Sequence, residues 1–515
     1  MLVAAPDSVH NRPMLRFSPN VNRARMIPWL EWSDEAFRTA QEQNKPVMLF
    51  LSAFWCRYCQ RMDEEAFSTT ENIALLKAYF VSIRAENAQR PDIDSRYNQN
   101  GWPTVVFMTP QGDPIVTTNY LPSDQFQDLL LRVYIGHERG HSKKDVMASI
   151  ETARPPAALP AVTAPNESQL DEITEIIMAC ADTVNGGYGQ GQKFIQAEAN
   201  DFLLARYEAT QDSRYLDHVC LTLDRMRARP IHDEKEGAYF RTTTGADWTQ
   251  PHREKLLGEQ AGLLGNCLRT FKITRQPAYA GMAQEIIGYL NQKLYEPRTG
   301  AFHGCEDFLR TFAGDDSSPE EFSTIIDDCI YTDANAQTLA AYLEASIVFG
   351  DANFKTLALR ALEFLWNHCR AADGGMFHYF DGAPRVPGLL MDQVQFGSAL
   401  LLARAVTGEV KYLERAQELA EFVGSRLKNP SGGYYDICAP GAAYLKFRLT
   451  LIEQNGPAAS FFLALGKASA IQQYRDDALW GFQPFTENFK DYGIHAAAFG
   501  IALNDWLYSP SARIE

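Results

Sequence analysis

Two cysteines three positions apart, Cys56 and Cys59, sit in the stretch FLSAFWCRYCQRM at residues 50–62. The thiolate is the reactive form of cysteine, and the partial positive charge at a helix N-terminus favours it. An apolar run followed by a polar helical pattern predicts a strand feeding a helix whose first turn carries both sulfurs. Cys56 then stands at the helix start as the attacking thiol. Cys59 stands one turn later, where it can resolve a mixed disulfide. Arg57 adds a positive charge beside the pair, and Trp55, Arg57 and Tyr58 flank the route a substrate would take. Two other uses of a cysteine pair are a metal clip and a pair of core thiols. Zinc needs two further ligands and no second C-x-x-C occurs, so no metal is expected. Thiol exchange also requires that the first sulfur be reachable from water.

The elements that must position this pair lie before a Pro/Ala-rich stretch, ETARPPAALPAVTAPNES, which begins at residue 151 and lacks helical periodicity. The chain is therefore divided into residues 1–150, a linker over 151–167 and a second domain over 168–515. In the first part β-rich runs (PVMLFLSA, YFVSIRAE, TVVFMTP, DPIVTTNYL) alternate with helical ones, which predicts a small α/β domain. After the linker nearly everything has a 3.6-residue period. A self-match recurs at intervals of about 60 to 75 residues, marked by Tyr215, Tyr279, Phe354, Tyr412 and Tyr474. Helical patterns near 168–183, 196–210, 257–275, 331–349, 391–408, 456–470 and 490–507 complete about twelve helices. Glycine–aromatic turns at 186, 237, 300, 374 and 432 separate the pairs and predict short hairpins at one rim. Six helical hairpins predict an all-α (α/α)6 toroid, with alternate helices forming a parallel inner ring.

GWPTVVFM places Pro103 just before an apolar strand, and this resembles the cis-proline loop that faces the two sulfurs of thioredoxins. The resemblance implies a thioredoxin-like fold in which Pro103 shapes substrate access. Thioredoxins carry a buried acid six residues before the first cysteine, whereas Phe50 stands there in this chain. A narrower likeness runs through NRPMLRFSPN, WLEWSDEAFRTAQEQNKPV, RPDIDSRY and GWPTVVFMTPQGDP, then GGYGQGQKF, PHREKLL, YTDAN and PGLLMDQVQFGSALL. It resembles the spermatogenesis-associated, thioredoxin-domain family, in which a thioredoxin-like domain precedes a six-hairpin glycosidase-like domain. Relative to that family, Arg253 replaces an aromatic, Gly258-Glu259 replaces Tyr-Asp, and Ala334 replaces Trp.

A toroid of this kind gathers polar residues at the N-terminal ends of its inner helices, where helix dipoles converge on one basin. Lys193, His252, Glu254, Lys255, Asp333, Asn335, Asp392, Gln393, Asp491 and His495 fall there, and His303, Glu306 and Asp307 follow a rim hairpin. The fold class resembles sugar epimerases and glycoside hydrolases, whose chemistry needs proton-abstracting histidines or paired carboxylates. Tyr188, Tyr239, Phe302, Phe377 and Tyr434 are the aromatics expected to stack on a sugar. Caps, backbone bonds and core packing account for the same residues equally well.

The formal charge of −16 disfavours nucleic acid and anionic membrane surfaces as partners. No apolar run reaches membrane-spanning length and no leader pattern opens the chain, so a cytoplasmic setting is expected. Cys180, Cys220, Cys267, Cys305, Cys329, Cys369 and Cys438 lie singly, as core thiols do in a reducing compartment. HERGH at 137–141 fits the zinc-binding H-E-x-x-H pattern but contains Gly140 at the end of a helix. GGYGQGQ at 186 follows a helix rather than a strand, which excludes a dinucleotide fingerprint. The expected activity is thiol–disulfide exchange without a cofactor on a protein or small-molecule disulfide, with the toroid selecting the partner. A carbohydrate-active toroid, epimerase or hydrolase, and a non-catalytic binding protein are the alternatives.

Overall fold

The computed structural model describes residues 15–140, 164–310 and 322–508. The chain forms two compact units, and Ala439–Arg448 packs with the first rather than with its sequence neighbours. There Arg96 donates to the Phe447 carbonyl at 2.7 Å, and the rings of Tyr97 and Tyr444 stack at 5.4 Å. Most of the Pro/Ala-rich linker, residues 151–163, lies outside the described residues.

The first unit is built on strands β1 (Val47–Ser52), β2 (Val81–Glu86), β3 (Thr104–Met108) and β4 (Pro114–Thr118), in the spatial order β2-β1-β3-β4. β1 runs parallel to β2 and antiparallel to β3, and β3 runs antiparallel to β4. Every residue of β1, β2 and β3 is buried, which is the pattern of a sheet covered on both faces. The covering helices are α1 (Asp34–Glu42), α2 (Arg57–Glu64), α3 (Thr70–Tyr79), α4 (Pro91–Tyr97) and α5 (Ser123–Glu138). Side chains of Ser33 and Thr69 cap α1 and α3 by accepting an amide hydrogen of the first turn. The arm that precedes α1 is sewn to the far end of α2. The Ser18 amide donates to Asp63 at 2.8 Å, Ser18 and Asn20 side chains donate to Glu64, and the Arg23 amide donates to Ser68. This is the thioredoxin-like arrangement. His137 of the H-E-x-x-H stretch spends its Nε2 on the Asn44 carbonyl at 2.9 Å, and His141 lies outside the described residues.

The second unit is the helical toroid. Its outer helices are α6 (Glu167–Cys180), α8 (Ser213–Arg227), α10 (Pro277–Tyr289), α12 (Ala352–His368), α14 (Val410–Phe422) and α16 (Gln472–Phe482). Its inner helices are α7 (Ala197–Thr210), α9 (Leu257–Thr274), α11 (Thr332–Phe349), α13 (Leu390–Thr407), α15 (Ile452–Ser469) and α17 (Ala497–Tyr508). Each inner helix packs on the next and α17 returns to α7, closing the ring. Inner helices are buried on most sides, whereas α12, an outer one, buries only a stripe of Ala358, Ala361, Leu362 and Leu365. The self-matching aromatics lie on the outer helices, where Tyr215, Tyr279 and Tyr412 are buried. Two boundaries differ from the periodicity. α15 starts at Ile452 with Pro457 inside it, because a proline near a helix start forfeits a bond only to the first turn. The last inner helix starts at Ala497, because Gly493 (φ 54°) breaks the preceding 3₁₀ segment, Phe489–Ala496. Among the described residues no helix is long and apolar enough to cross a membrane.

The glycine–aromatic turns are short hairpins, as expected. Each pairs the segment leaving an outer helix with a residue one or two places after its glycines: Ala181 with Tyr188, Tyr295 with Phe302, Arg370 with Met376, Lys428 with Tyr434, and His232–Asp233 with Ala238–Tyr239. What fixes these turns is an amide at the fourth residue of the following inner helix. Gln260 accepts from the Tyr239 amide at 3.0 Å and donates to the Tyr239 carbonyl at 2.6 Å. Asn335 does the same to Phe302 (2.8 and 2.9 Å), Gln393 to Met376 (2.7 and 3.2 Å) and Asn455 to Tyr434 (2.7 and 3.0 Å). All four amides are fully buried. Asn200, the fourth residue of α7, instead accepts from the Tyr188 hydroxyl at 3.0 Å and donates to Asn266 at 3.0 Å. The close approach requires glycine in the turn: a Cβ on Gly433 (φ 70°) would lie 2.8 Å from Asn455 Oδ1. Replacing Asn455 by Leu strands a buried amide and a buried carbonyl, which should cost at least about 2 kcal/mol of unfolding free energy. Asn353→Ala, at an exposed site on α12, should stay within about 0.5 kcal/mol of wild type in the same urea titration.

Candidate functional site

Cys56 is the N-cap of α2, and its Sγ accepts the Cys59 amide hydrogen at 3.2 Å. One of the orphan donors of the helix start therefore points at the first sulfur. Both cysteines are free thiols. Cys59 is 3% exposed, and burial together with the neighbouring Cys56 pushes its thiol well up. Cys56 is only 6% exposed, so the first sulfur is more enclosed than the open position expected for it. It belongs to the cluster that includes Met62, Phe67 and Phe50, and Trp55 and Trp102 pack against that cluster with their rings edge-on at 5.2 Å. Arg57 is half-buried and Tyr58 is 52% exposed, leaving Tyr58 as the large apolar side chain on the surface beside the pair.

The proline loop is brought to the same end of the sheet by strand register. Leu51 of β1 pairs with Thr104 of β3, so Pro103 and the loop leaving β1 toward Cys56 share one edge. The Trp102–Pro103 peptide is cis. The RPDIDSRY stretch proves to be the support of this loop. Asp94 on α4 accepts from the Trp102 indole at 2.9 Å, Thr104 Oγ1 donates to the Gly101 carbonyl at 2.7 Å, and Asn119 donates to the Pro103 carbonyl at 2.9 Å. Phe50 is fully buried, and its neighbour across the β1–β2 register is Arg84, which is also buried. Arg84 forms a two-pronged ion pair with Asp63 of α2 at 2.7 and 2.8 Å.

In the toroid, several residues singled out from sequence are committed to the fold. Lys193 is fully buried and donates to Asp182 at 2.8 Å and to the Gly189 carbonyl. Lys255 is also fully buried, facing Asp233 at 2.8 Å, Glu236, and Glu306 at 3.3 Å, and Tyr289 donates to the same Glu306. Glu254 is buried and takes the Arg241 guanidinium at 2.8 Å, while His252 is exposed, 3.9 Å from Glu254. His303 Nδ1 meets the Asp328 carbonyl at 3.1 Å, and Asp307 is buried with one oxygen accepting the Phe308 amide. Asn335 and Gln393 are the turn latches described above. Asp491 and His495 are exposed on the 3₁₀ segment. The aromatics expected to stack on a sugar are mostly unavailable: Tyr239, Phe302 and Tyr434 are fully buried and Tyr188 nearly so, because they fill the space beneath the latched turns. Phe377 alone of these five is half-buried.

Two groupings escape the sequence. His378, buried on the strand Phe377–Phe380, places Nδ1 3.0 Å from Asp392 at the start of α13, with Asp333 of α11 beside them. Burial raises Asp392 to about 6 even though His378 opposes it. Glu259, in the first turn of α9, is raised to about 8 by burial and by the charge of Glu198 at the start of α7. No spacing rule announces either one: His378 and Asp392 are on different elements, and Glu259 reads as an ordinary first-turn acid.

Residues 14–143 match the family model described as Thioredox_DsbH, protein of unknown function, DUF255. Human spermatogenesis-associated protein 20 is 29% identical over 340 residues, which cover 59% of this chain and 42% of that protein. The thiol:disulfide interchange protein DsbD of Yersinia pestis is 34% identical over 96 residues, 17% of this chain and 16% of that protein. Among solved structures, the cellobiose 2-epimerase from Spirochaeta thermophila overlays 66% of this chain and 96% of its own length with a TM-score of 0.52 at 14% identity, a likeness of fold alone. The match to the human relative thus spans about two-fifths of that protein's length. The chain thus joins a DUF255 thioredoxin-like domain to a helical toroid with the fold of that epimerase, and it is similar to the spermatogenesis-associated thioredoxin-domain proteins.

Proposed function

We propose that the protein is a thiol–disulfide oxidoreductase acting through Cys56 and Cys59. The observation that carries this reading is the sulfur-capped helix: Cys56 Sγ receives the Cys59 amide at the start of α2, next to the loop holding Pro103. The Cys56 thiolate attacks one sulfur of a substrate disulfide, forming a mixed disulfide and releasing the other sulfur as a thiolate. Cys59, deprotonated, then attacks Cys56 Sγ; the Cys56–Cys59 bond forms, the second substrate sulfur leaves, and the two protons given up by the pair end on the two product thiols. The substrate disulfide is the oxidant and the cysteine pair is oxidised. The match to a protein named for thiol:disulfide interchange supports the assignment. That every described cysteine is a free thiol fits a reducing, cytoplasmic setting. Mass measurement of alkylated protein after oxidation by a model disulfide should find Cys56 and Cys59 protected together. Cys59→Ser should trap the mixed disulfide and Cys56→Ser should form none; failure of the two sulfurs to pair removes the assignment.

A second reading, acid–base chemistry on a carbohydrate in the toroid, is favoured by Glu259 and by the His378–Asp392 pair. A carboxyl that stays protonated near neutral pH and a carboxylate-bound imidazole are the parts such chemistry needs. In a screen of sugars with product analysis, Glu259→Gln or His378→Asn should abolish any turnover found. Glu259 also has a signature in stability. Its folded value lies above that of the unfolded chain, so the native state binds the extra proton between about pH 4.5 and 8 and loses stability as pH rises through that window. The unfolding free energy of Glu259→Gln should decline less over the same range and exceed wild type at pH 8.

A further inference from the structure

Two carboxylates and an imidazole from three separate elements meet where α11 and α13 begin. Asp333 is the second residue of α11, Asp392 is the third of α13, and His378 lies on the strand Phe377–Phe380. One ligating atom from each lies within 4.8 Å of the other two. Asp392 is fully buried and His378 is 3% exposed, whereas Asp333 is half-buried and within reach of water. A single imidazole nitrogen serves both oxygens of Asp392: Nδ1 stands 3.0 Å from one and 3.2 Å from the other. Asp392 also takes the backbone amide of Asp333, and Asp333 Oδ1 takes the Ala334 amide at 2.8 Å. A carboxylate has about four lone-pair sites, so both acids keep acceptor capacity in hand. Even an imidazolium cancels only one of their two negative charges, and burying what remains is costly.

We propose that Asp333, His378 and Asp392 form a site for a divalent first-row transition ion, Mn²⁺ or Zn²⁺, held through one oxygen of each aspartate and Nδ1 of the histidine. Two donors at right angles, each about 2.1 Å from one ion, lie about 3.0 Å apart. Nδ1 and Asp392 already stand at that separation. A divalent charge answers two carboxylates and a neutral imidazole without remainder. The nitrogen ligand favours a transition ion over Mg²⁺ and Ca²⁺, which prefer oxygen. On binding, the ion takes the place of the hydrogen now between Nδ1 and the carboxylate. That hydrogen passes to Nε2 or, from an imidazolium, to water. Three protein ligands leave the remaining positions to water on the side of half-buried Asp333. The site is independent of the thiol–disulfide assignment. It changes the carbohydrate reading, because a metal-held Nδ1 no longer carries a proton and an ion-bound water can take that part.

The test is titration of the chelator-treated full chain with Mn²⁺, followed by the electron spin resonance signal of the free ion. One ion per chain should bind saturably, and Zn²⁺ should displace it far more readily than Mg²⁺ does. Asp333→Asn, which alters neither volume nor the core, should weaken binding at least about tenfold. Its circular dichroism should match wild type. The electron spin echo of the bound ion should carry the nitrogen modulation of a coordinated imidazole, and His378→Gln should lose it. That readout in the unmutated chain decides the question even where His378→Gln or Asp392→Asn folds poorly. Absence of saturable binding, a bound ion without the nitrogen signal, or undiminished binding in folded Asp333→Asn overturns the proposal. None of these readouts depends on pairing of Cys56 with Cys59 or on sugar turnover, so failure here leaves the redox assignment standing.

Discussion

A backbone amide or carbonyl removed from water must find a partner, and the second domain is organised by how it meets that demand at its turns. Four side-chain amides, Gln260, Asn335, Gln393 and Asn455, each take both backbone groups of the residue that follows a glycine turn. Because each amide is the fourth residue of an inner helix, these four turns are held at one height against the ring. The chain between turn and helix is then free to vary. Between Phe302 and Asn335 it makes room for strands Cys305–Arg310 and Phe322–Asp327, whereas Met376 reaches Gln393 through one hairpin. A toroid with unequal excursions can therefore close as regularly as one built from identical repeats.

The first domain applies the same rule to chemistry. A helix start leaves amide hydrogens unspent, and in α2 one of them is spent on the Cys56 sulfur rather than on a serine or threonine oxygen. Local geometry thereby turns the positive end of the helix dipole on a sulfur. The proline loop opposite is not left to loop entropy, since Asp94, Thr104 and Asn119 each bond to its backbone or its indole. The loop that carries Pro103 stands on α4 and β3, not on its own chain alone.

Much of this architecture is legible in the sequence because it follows from periodicity and punctuation. Buried strands show as apolar runs, the inner and outer helices as 3.6-residue patterns, and the rim hairpins as glycines before an aromatic. Cys56 and Cys59 are legible because both sulfurs belong to one turn of one helix. What the sequence hides is pairing across elements. Arg84 and Asp63 read as a strand position and a helix-surface position until the fold puts them together, and His378 and Asp392 are hidden in the same way. The latches are concealed by their variable separation from the turns they hold. Asn335, which reads as a basin residue or a cap, is neither, because both ends of its amide are consumed by Phe302. The rim aromatics mislead for a related reason: a tyrosine after glycines suggests a stacking surface, yet latching its backbone turns the ring into the core.

The stitching of the N-terminal arm to α2 has a mechanical meaning. Ser18 and Asn20 hold the end of the helix remote from the sulfurs, through Asp63 and Glu64, while Arg84 ties the same Asp63 to the sheet. The link Ala53–Trp55 that joins the helix to β1 is held as well, by the Phe54 amide donating to Glu86 at 2.9 Å. Cys56 and Cys59 are therefore carried on a helix moored to β2 at both ends, with Trp55 and the indole it touches, Trp102, packed edge-on beside them.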